Sequence, residues 1–515
     1  MAQLREPVRD DRPFAVVDVG SNSARMIVFR IGRGGHLDVL EDARAPLRLA
    51  RELRDDDELG PEAIERTLEA LRDFVAVAEA ASARRFLAVA TSAVREARDR
   101  TVLIDRAREI GITIEVIDGD TEARLGFVGA VHDLPIVDGA TMDVGGGTTE
   151  VTRFRDRRIE RSWTLPLGSL RLMDRFLTSD PPSHRQLAAV RSEIDAAFRG
   201  TGAERLAGGD LVGIGGTIRN LAKIDRRRTG HPLPLLHAYE LPRERLDPIV
   251  HELAARPAKQ RAKTRGLNPD RVDSIVAGGL IVSAAMRHLG VERLIVSSRG
   301  LREGIALGGS SADMPDPAWV RTISIATLAA RFASWDPRAA DRRESLAAAL
   351  LREVAPGAAP VIREMLSQAA IVVDVGRAID YYERFSHAAA IVTAADLGGF
   401  DHEALGVLTA ILLQADDDDV ALGPIARLVP KELRRPIRRA ATALALADEL
   451  NRRIAKGKAV PFSCAWRGRI FEVRAPVVAG WRPAAVARRF NAVFGASLSV
   501  VPVAQAARMP TLEPD

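Results

Sequence analysis

Hydrophobic positions fall first at strand spacing, then alternate between strand and helix spacing, and finally keep helix spacing almost throughout. "PFAVVDVG" is an apolar run closed by Asp and Gly, "ARMIVFRI" follows within a few residues, and "LDVLEDARAPLRLA" supplies another extended stretch. Together they predict a strand meander with a tight turn at Gly20–Asn22. "PEAIERTLEALRDFVAVAEAA" (61–81) repeats apolar residues at helical spacing behind Pro61, a helix-start residue. A strand "RFLAVAT", a helix "VREARDRTVLIDRAREI", a strand "ITIEVI" and a helix "TEARLGFVGAVH" follow.

The pattern restarts at 141. "TMDVGG", "TEVTRF" and "RIERSWTLP" read as strands, "GSLRLMDRFL" and "RQLAAVRSEIDAAF" as helices, and "DLVGIGG" as a strand entering the helix "TIRNLAKI". The words repeat as well. With "VVDVGSNS" (16–23) laid on "TMDVGGGTTE" (141–150), Asp18 falls on Asp143, Gly20 on Gly145 and Ser23 on Thr148, about 125 residues apart. Two similar α/β domains facing one another across a cleft are the expectation. From about 316 the strand signal fades. "TISIATLAARFA", "RRESLAAALLREV", "PVIREMLSQAAIVVDVGRAIDYY", "SHAAAIVTAA", "EALGVLTAILLQA" and "IRRAATALALADELNRRIA" predict a mostly helical domain. "WRGRIFEVRAP", "RPAAVARRFNAVFG" and "SLSVVPVA" then predict a small α/β cap.

The chain has 515 residues, 47% hydrophobic and 28% charged, which reads as soluble, globular and multidomain. A net charge of +5 leans toward anionic partners in general. With 4% aromatic residues there is little material for base-stacking platforms, so nucleic acid is not the expected partner. The single cysteine, Cys464, excludes an internal disulfide and fits a reducing cytoplasm. "MAQLREPVRDDRPF" lacks the apolar core of a signal peptide, and no apolar run is long enough for membrane insertion.

The repeated phrase has a chemical reading. A turn of Gly and small polar residues lets backbone N–H groups approach an anion closely. Ser23, Thr148 and Thr149 add hydroxyl donors, and Asp18 and Asp143, each at a strand end, can hold a divalent cation or orient a water. One such turn reads equally well as a tight hairpin. The pair points to a two-sided phosphate clamp.

"VVDVGSNSARM", "ATSAVREA", "IDGDTEARLGFVG", "MDVGGGTTEV", "LPLGSLRL", "GIGGTIRNLA" and "RGLREGIAL" occur in this order. They resemble the exopolyphosphatase and guanosine pentaphosphate phosphatase (Ppx/GppA) family, closely over about 1–310. The resemblance implies two duplicated ribonuclease-H-like domains of the actin, sugar-kinase and Hsp70 ATPase superfamily at 1–137 and 138–315. An all-α, HD-like domain at 316–457 and a small α/β domain at 458–515 follow. It implies a cytoplasmic homodimer that hydrolyses phosphoric anhydrides with Mg²⁺ or Mn²⁺. The first substrate implied is inorganic polyphosphate, from whose end orthophosphate is released. Guanosine pentaphosphate 5′-phosphohydrolysis is the alternative, and a non-hydrolytic binder of guanosine penta- or tetraphosphate the second. An ATP-using member of the superfamily is disfavoured by "DGDTEARL".

Glu122 in "DGDTEARL" takes the role of the family's catalytic glutamate, which orients and deprotonates the attacking water. Asp143 and Glu150 match an acidic pair tied to metal and water placement, with Asp18 the further metal candidate. Gly145, Gly146, Gly147, Thr148 and Thr149 would cradle phosphate from one side, and Gly20, Ser21, Asn22 and Ser23 from the other. Arg95, Arg219 and Arg271 fall where the family places basic residues near the polyanion, Arg95 foremost because it follows a strand end.

Two departures stand out. "SSRGLREG" puts Ser298 and Arg299 where the family often has an Asp. "AAIVVDVGRAID" has Val373 where an HD motif would show His, keeping Asp374, while His387 survives from a second motif. A His–Asp metal centre is not expected. The acidic run 416–419 reads as a solvated loop. "RLVPKELRRPIRRAATALALADELNRR" reads equally as a basic rim for a polyanion or as an amphipathic core helix.

Overall fold

The computed structural model describes residues 12–32, 35–53, 57–201, 206, 209–309, 314–417, 420–454, 461–477 and 480–503. The N-terminal stretch read above lies mostly outside these, as do residues 418–419 of the acidic run and the end of "SLSVVPVA". The first apolar runs become β1 (Phe14–Val19), β2 (Ser23–Ile31) and β3 (Leu37–Pro46), joined by β4 (Phe86–Ala90) and β5 (Ile114–Val116). The sheet order is β3-β2-β1-β4-β5. The first three strands form an antiparallel meander, and β1, β4 and β5 are parallel. The apolar residues of β1 and β4 are almost all buried because helices cover both faces.

The second half writes β6 (Gly139–Val144), β7 (Thr149–Arg155), β8 (Arg158–Leu165), β9 (Asp210–Ile214), β10 (Tyr239–Pro242) and β11 (Arg293–Val296). The sheet order is β10-β11-β9-β6-β7-β8. From its far end, β8-β7-β6-β9-β11 repeats the first sheet strand for strand, with β10 added antiparallel at the edge. The duplication reaches single hydrogen bonds. Gly20 N–H donates to Ser23 O at 3.3 Å, and Gly145 N–H donates to Thr148 O at 2.9 Å.

Helix Gly119–Val131 joins the halves and packs on helix Leu301–Ala306 at a crossing made of glycines. A Cβ on Gly129 would lie 1.9 Å from Gly300 O, and one on Gly304 would lie 1.9 Å from Leu125 O. Neither position accommodates a side chain, so the two backbones touch.

Both sheets lie in one compact unit spanning 1–231, 235–323 and 398–400. The other unit holds helices Pro337–Val354, Pro360–Val372, Arg384–Ala394, His402–Asp416 and Arg434–Asn451. It also holds a three-stranded sheet, β12 (Ser463–Arg467), β13 (Ile470–Ala475) and β14 (Ser497–Pro502), with helix Ala484–Phe494. Its interior contains Arg343, 2% exposed, ion-paired to Asp374 and Asp448; Arg384 pairs with Asp448 as well. Asp374, the residue kept from an HD motif, is thus held by guanidinium groups.

Several elements differ from the sequence reading. The helix expected over "VREARDRTVLIDRAREI" is two, Ser92–Glu96 and Arg100–Glu109. Between them the Asp99 carboxylate accepts from the backbone N–H groups of Leu59 and Gly60, both at 2.9 Å, which anchors the chain at the break. "PVIREMLSQAAIVVDVGRAIDYY" leaves the α-helix at Val372 for a 3₁₀ stretch, Val373–Ala378. There Gly376 lies against the Arg384 backbone as the chain doubles back. Leu49–Glu52 is a helical turn, not a strand extension.

Gly304→Ala is expected to destabilise the fold by about 3 kcal/mol, the upper end of what overpacking a close contact costs. Urea unfolding measures it. An unchanged midpoint would mean that the two helices separate without cost.

Candidate active site

The repeated turns put two strand ends side by side. Asp18 stands at the end of β1 opposite Arg25 in the β1–β2 register, and Asp143 at the end of β6 opposite Glu150 in the β6–β7 register. The turns beyond them meet. Gly146 faces Ser21, where a Cβ would come to 3.0 Å of the Ser21 Cβ; at Gly147 one would come to 2.9 Å of the Ser92 hydroxyl. The Ser21 and Ser92 hydroxyls share a hydrogen bond of 2.6 Å. Gly215, at φ +88°, brings its backbone so near the Asp143 carboxylate that a Cβ there would be 2.4 Å from Oδ1.

Glu122 enters from the first turn of helix Gly119–Val131, whose start is capped by Asp118 accepting from Thr121 N–H at 2.7 Å. Its Oε2 pairs with Arg95 Nη1 at 3.1 Å, and Arg95 also donates to the Ile117 carbonyl at 2.8 Å. Arg95 therefore reaches Glu122 from the side and is not among the residues lining the cleft.

The cleft gathers Asp18, Gly20, Ser21, Asn22, Ser23, Glu122, Asp143, Gly145, Gly146, Thr148, Glu150, Arg219 and Arg271 in one place. Two further candidates point elsewhere. Thr149 is fully buried and donates its hydroxyl to the Leu167 carbonyl, so it closes the strand end and is not free to contact phosphate. Gly147 packs on Ser92. Arg219 lines the cleft while donating to the carbonyls of Gly215 and Ser298 at 3.2 and 3.0 Å. Arg299, the charge that departs from the family pattern, is buried and ion-paired to Asp133.

Sequence reasoning passed over Arg25, Ser92 and Arg302, which also line the cleft. Arg25 had a readable signal: it sits two residues after Ser23 on β2, hence on the same face. Arg302 stands in the first turn after "SSRG", within a motif already singled out.

Burial governs the charges. It pushes Asp18 up to about 6, with Arg302 and Arg25 opposing. It pushes Glu122 up to about 7, with Arg95 opposing. Asp143 is raised by burial against Arg219 and Arg271. Glu150 is raised by burial and then by Glu122 and Asp143. The guanidiniums suffer the converse. Burial lowers Arg25 to about 9, and Arg219, Arg302, Arg44 and Arg271 add to it. Arg271 falls to about 10 through burial, then Arg44 and Arg219.

Among the described residues no group of three His, Cys, Asp or Glu side chains is placed to hold a metal alone. Asp18 Oδ1 and Glu150 Oε1 are nevertheless buried without a hydrogen-bond partner. Hard carboxylate oxygens of this kind suit Mg²⁺, which keeps several waters and takes one or two carboxylates together with substrate phosphate oxygens. Among the described residues no helix is long and apolar enough to cross a membrane.

Asp18 sets a stability test. Its folded pKa, about 6, is above the unfolded value of 3.8, so the fold disfavours its charged form. Its stabilising contribution is full below about pH 4 and is lost as pH rises through 6. Asp18→Asn should therefore gain in Tm over the parent between pH 4 and 8, measured by thermal melting without substrate or divalent cation. A difference independent of pH would refute the burial account.

Comparison with known proteins agrees with this layout. Residues 27–311 match the Ppx/GppA phosphatase family, and residues 320–465 match domain III of Ppx/GppA phosphatases. Exopolyphosphatase 1 of Mycobacterium tuberculosis is 30% identical over 318 residues, 61% of this chain and 92% of the relative. Exopolyphosphatase 2 of the same organism is 31% identical over 315 residues, 57% of this chain and 97% of the relative. A solved exopolyphosphatase from Cytophaga hutchinsonii is 25% identical with a TM-score of 0.53, covering 57% of this chain and 96% of that one. An Aquifex aeolicus Ppx/GppA member is 26% identical with a TM-score of 0.51, with the same coverage. With its duplicated sheets, paired phosphate-type turns and a family match over more than half its length, the chain belongs to the Ppx/GppA phosphatase family.

Proposed function

We propose that the protein is an exopolyphosphatase that releases orthophosphate from the end of inorganic polyphosphate, with water as nucleophile. The observation that carries this reading is the charge inventory of the cleft. Burial lowers the pKa of Arg25, Arg219 and Arg271, and neighbouring guanidiniums lower each further: Arg219 and Arg302 act on Arg25, Arg302 and Arg44 on Arg219, and Arg44 and Arg219 on Arg271; a bound polyanion relieves this cost. No aromatic side chain lines the cleft among the described residues, so a nucleobase finds nothing there to stack on. A bare phosphate chain needs no such platform. The relatives named as exopolyphosphatases support the same substrate class.

In this reading the turns Gly20–Ser23 and Gly145–Thr148 offer N–H and hydroxyl donors to the terminal phosphoryl group. Glu122 is the general base. With a pKa near 7 it exists partly as the carboxylate at neutral pH and still has appetite for the proton of the attacking water. Arg95 keeps it from rising further. Asp18, Asp143 and Glu150 are the residues that would hold Mg²⁺, which offsets phosphate charge when bound. The guanidiniums of Arg25, Arg219 and Arg271 receive the charge that spreads over the phosphoryl oxygens in the loose transition state.

Glu122→Gln should lower phosphate release by about 10²–10⁴-fold while retaining polyphosphate binding, since the amide keeps the shape and loses the base. In the parent, kcat/KM should rise with pH and level off above an acid limb near pH 7. Near-parental turnover by the variant removes Glu122 from this role. Orthophosphate release from polyphosphate should exceed release from guanosine pentaphosphate; the reverse order would assign the nucleotide as substrate. Asp143→Asn and Glu150→Gln should each raise the Mg²⁺ concentration needed for half-maximal activity, and two unchanged titrations would move the metal role away from these carboxylates.

A further inference from the structure

The cleft ends at Arg219, but the positive charge does not. Helix Gly215–Thr229 lines the cleft with Gly215, Gly216 and Arg219 and with no later residue. Beyond Arg219 its exposed face carries Lys223, one turn on, and Arg227, a second turn on, roughly 6 and 12 Å along the axis. The helix has one carboxylate, Asp225, which is buried and accepts from Tyr239 and Arg245.

A second segment runs back along this helix. At Gly266, φ +102°, a Cβ would lie 2.9 Å from Ile224 N. Asn268 N–H donates to Asn220 Oδ1 at 2.7 Å, and a Cβ on Gly216 would lie 2.5 Å from Arg271 Nη2. Arg271 thus enters the cleft at one end of the helix, while Gly266 brings the exposed Lys263 and Arg265 to the Lys223 end. The stretch "RPAKQRAKTRG" (256–266) holds five cations and no carboxylate. The acidic groups nearby are already taken. Glu252 serves Arg228 and Arg256, Asp180 serves Arg261, and Asp270 and Asp273 serve Arg44 and Arg51. Lys223, Arg227, Lys263 and Arg265 make no ion pair with a described residue.

These four cations are an uncompensated surplus, and the surplus is continuous with the cleft. Burial, then Arg219, Arg226, Arg227 and Arg25, lower the pKa of Lys223, and Arg219 and Arg25 both line the cleft. We propose that this strip binds the distal phosphates of a polyphosphate chain: the terminal phosphoryl group lies among the paired turns, and the rest of the chain leaves along Lys223, Arg227, Lys263 and Arg265. Such a chain is charged at every phosphate, so mobile ammonium and guanidinium groups hold it without a shape match. A ligand of two or three phosphates ends before the strip, which therefore selects long chains over short ones. The inference rests on the polyphosphatase reading of the cleft and adds to it a chain-length subsite on the same half that carries Arg219 and Arg271.

The test compares long-chain polyphosphate with tripolyphosphate on the full-length protein. The variants are Lys223→Gln with Arg227→Gln, Lys263→Gln with Arg265→Gln, and the two pairs combined. The combined variant should raise KM for long polyphosphate by about 10- to 100-fold at low salt, on the order of what a few counterion-releasing contacts contribute. Its kcat should hold, and KM for tripolyphosphate should move far less. In a Glu122→Gln background the same four substitutions should weaken binding of long polyphosphate, and the slope of log affinity against log salt should flatten by roughly 0.7 for each cation lost, the single-strand value. Lys223→Arg with Lys263→Arg should behave as the parent, because charge and not shape is read. Thermal melting establishes that each variant is folded. No hydrolysis of polyphosphate by the parent would sink the substrate assignment and this inference with it. Hydrolysis by the parent with a long-chain KM indifferent to the four substitutions, or an equal rise for both lengths, overturns this inference alone. A single-stranded oligonucleotide that displaces long polyphosphate at equal charge concentration would make the strip a nucleic-acid surface and overturns it as well.

Discussion

The carboxylates of Asp18, Glu122, Asp143 and Glu150 share one partly desolvated cleft with several guanidiniums, and direct pairing neutralises almost none of these four. Among the described residues the ion pair these carboxylates make is Glu122 with Arg95; Asp18, Asp143 and Glu150 face Arg25, Arg219 and Arg271 across the cleft without closing on them. Burial raises the carboxylates and lowers the guanidiniums, so the arrangement opposes folding on both counts. Much of the surrounding structure holds it in place. Strand ends in register fix the Asp18–Arg25 and Asp143–Glu150 pairs, and the glycine crossing of Gly129 and Gly304 fixes the helix that carries Glu122. Stability is given up to hold this charged arrangement together, the usual trade between stability and function.

The duplication was legible because it is written in residue types that admit few alternatives. Asp-Val-Gly followed by small polar residues produced the same turn twice, down to the Gly20–Ser23 and Gly145–Thr148 hydrogen bonds. The acidic half of the cleft was legible for the same reason. The basic half was not. In a chain with 74 Lys and Arg, one arginine carries little information, so Arg25 and Arg302 passed unnoticed although both lay inside motifs already marked. Thr149 shows the opposite failure. Strand alternation put its hydroxyl toward the Leu167 carbonyl while its neighbour Thr148 took the cleft. Helical periodicity also ran through Val373–Ala378 unbroken, because a 3₁₀ stretch between two helices keeps nearly the same apolar spacing.

The helical unit solves a different problem with the same residue types. Arg343, at 2% exposure, bridges two carboxylates in the interior, where removing one partner would strand a buried charge at a cost of several kcal/mol. A charge network of this kind specifies geometry more than it stabilises. It fixes how helix Pro337–Val354 meets Asp374 and helix Arg434–Asn451.

Glu122 brings the competing terms together. Burial alone would leave it protonated and useless as a base at neutral pH, whereas a close guanidinium alone would make it too weak a base. Its pKa near 7 is the balance of the two, with Asp18 and Asp143 adding repulsion. Under the proposed function, a phosphate chain entering the cleft would add negative charge beside this carboxylate and push the balance toward the protonated form. The guanidiniums of Arg25, Arg219 and Arg271 oppose that shift only if they stay charged, and it is the arriving phosphate that restores their depressed pKa values. In the proposed reaction, substrate binding and the ionisation of Glu122 are therefore linked through the same arginines. A cation removed from the cleft would alter the pH dependence of the chemical step as well as the affinity for the chain, even where its side chain touches no reacting atom.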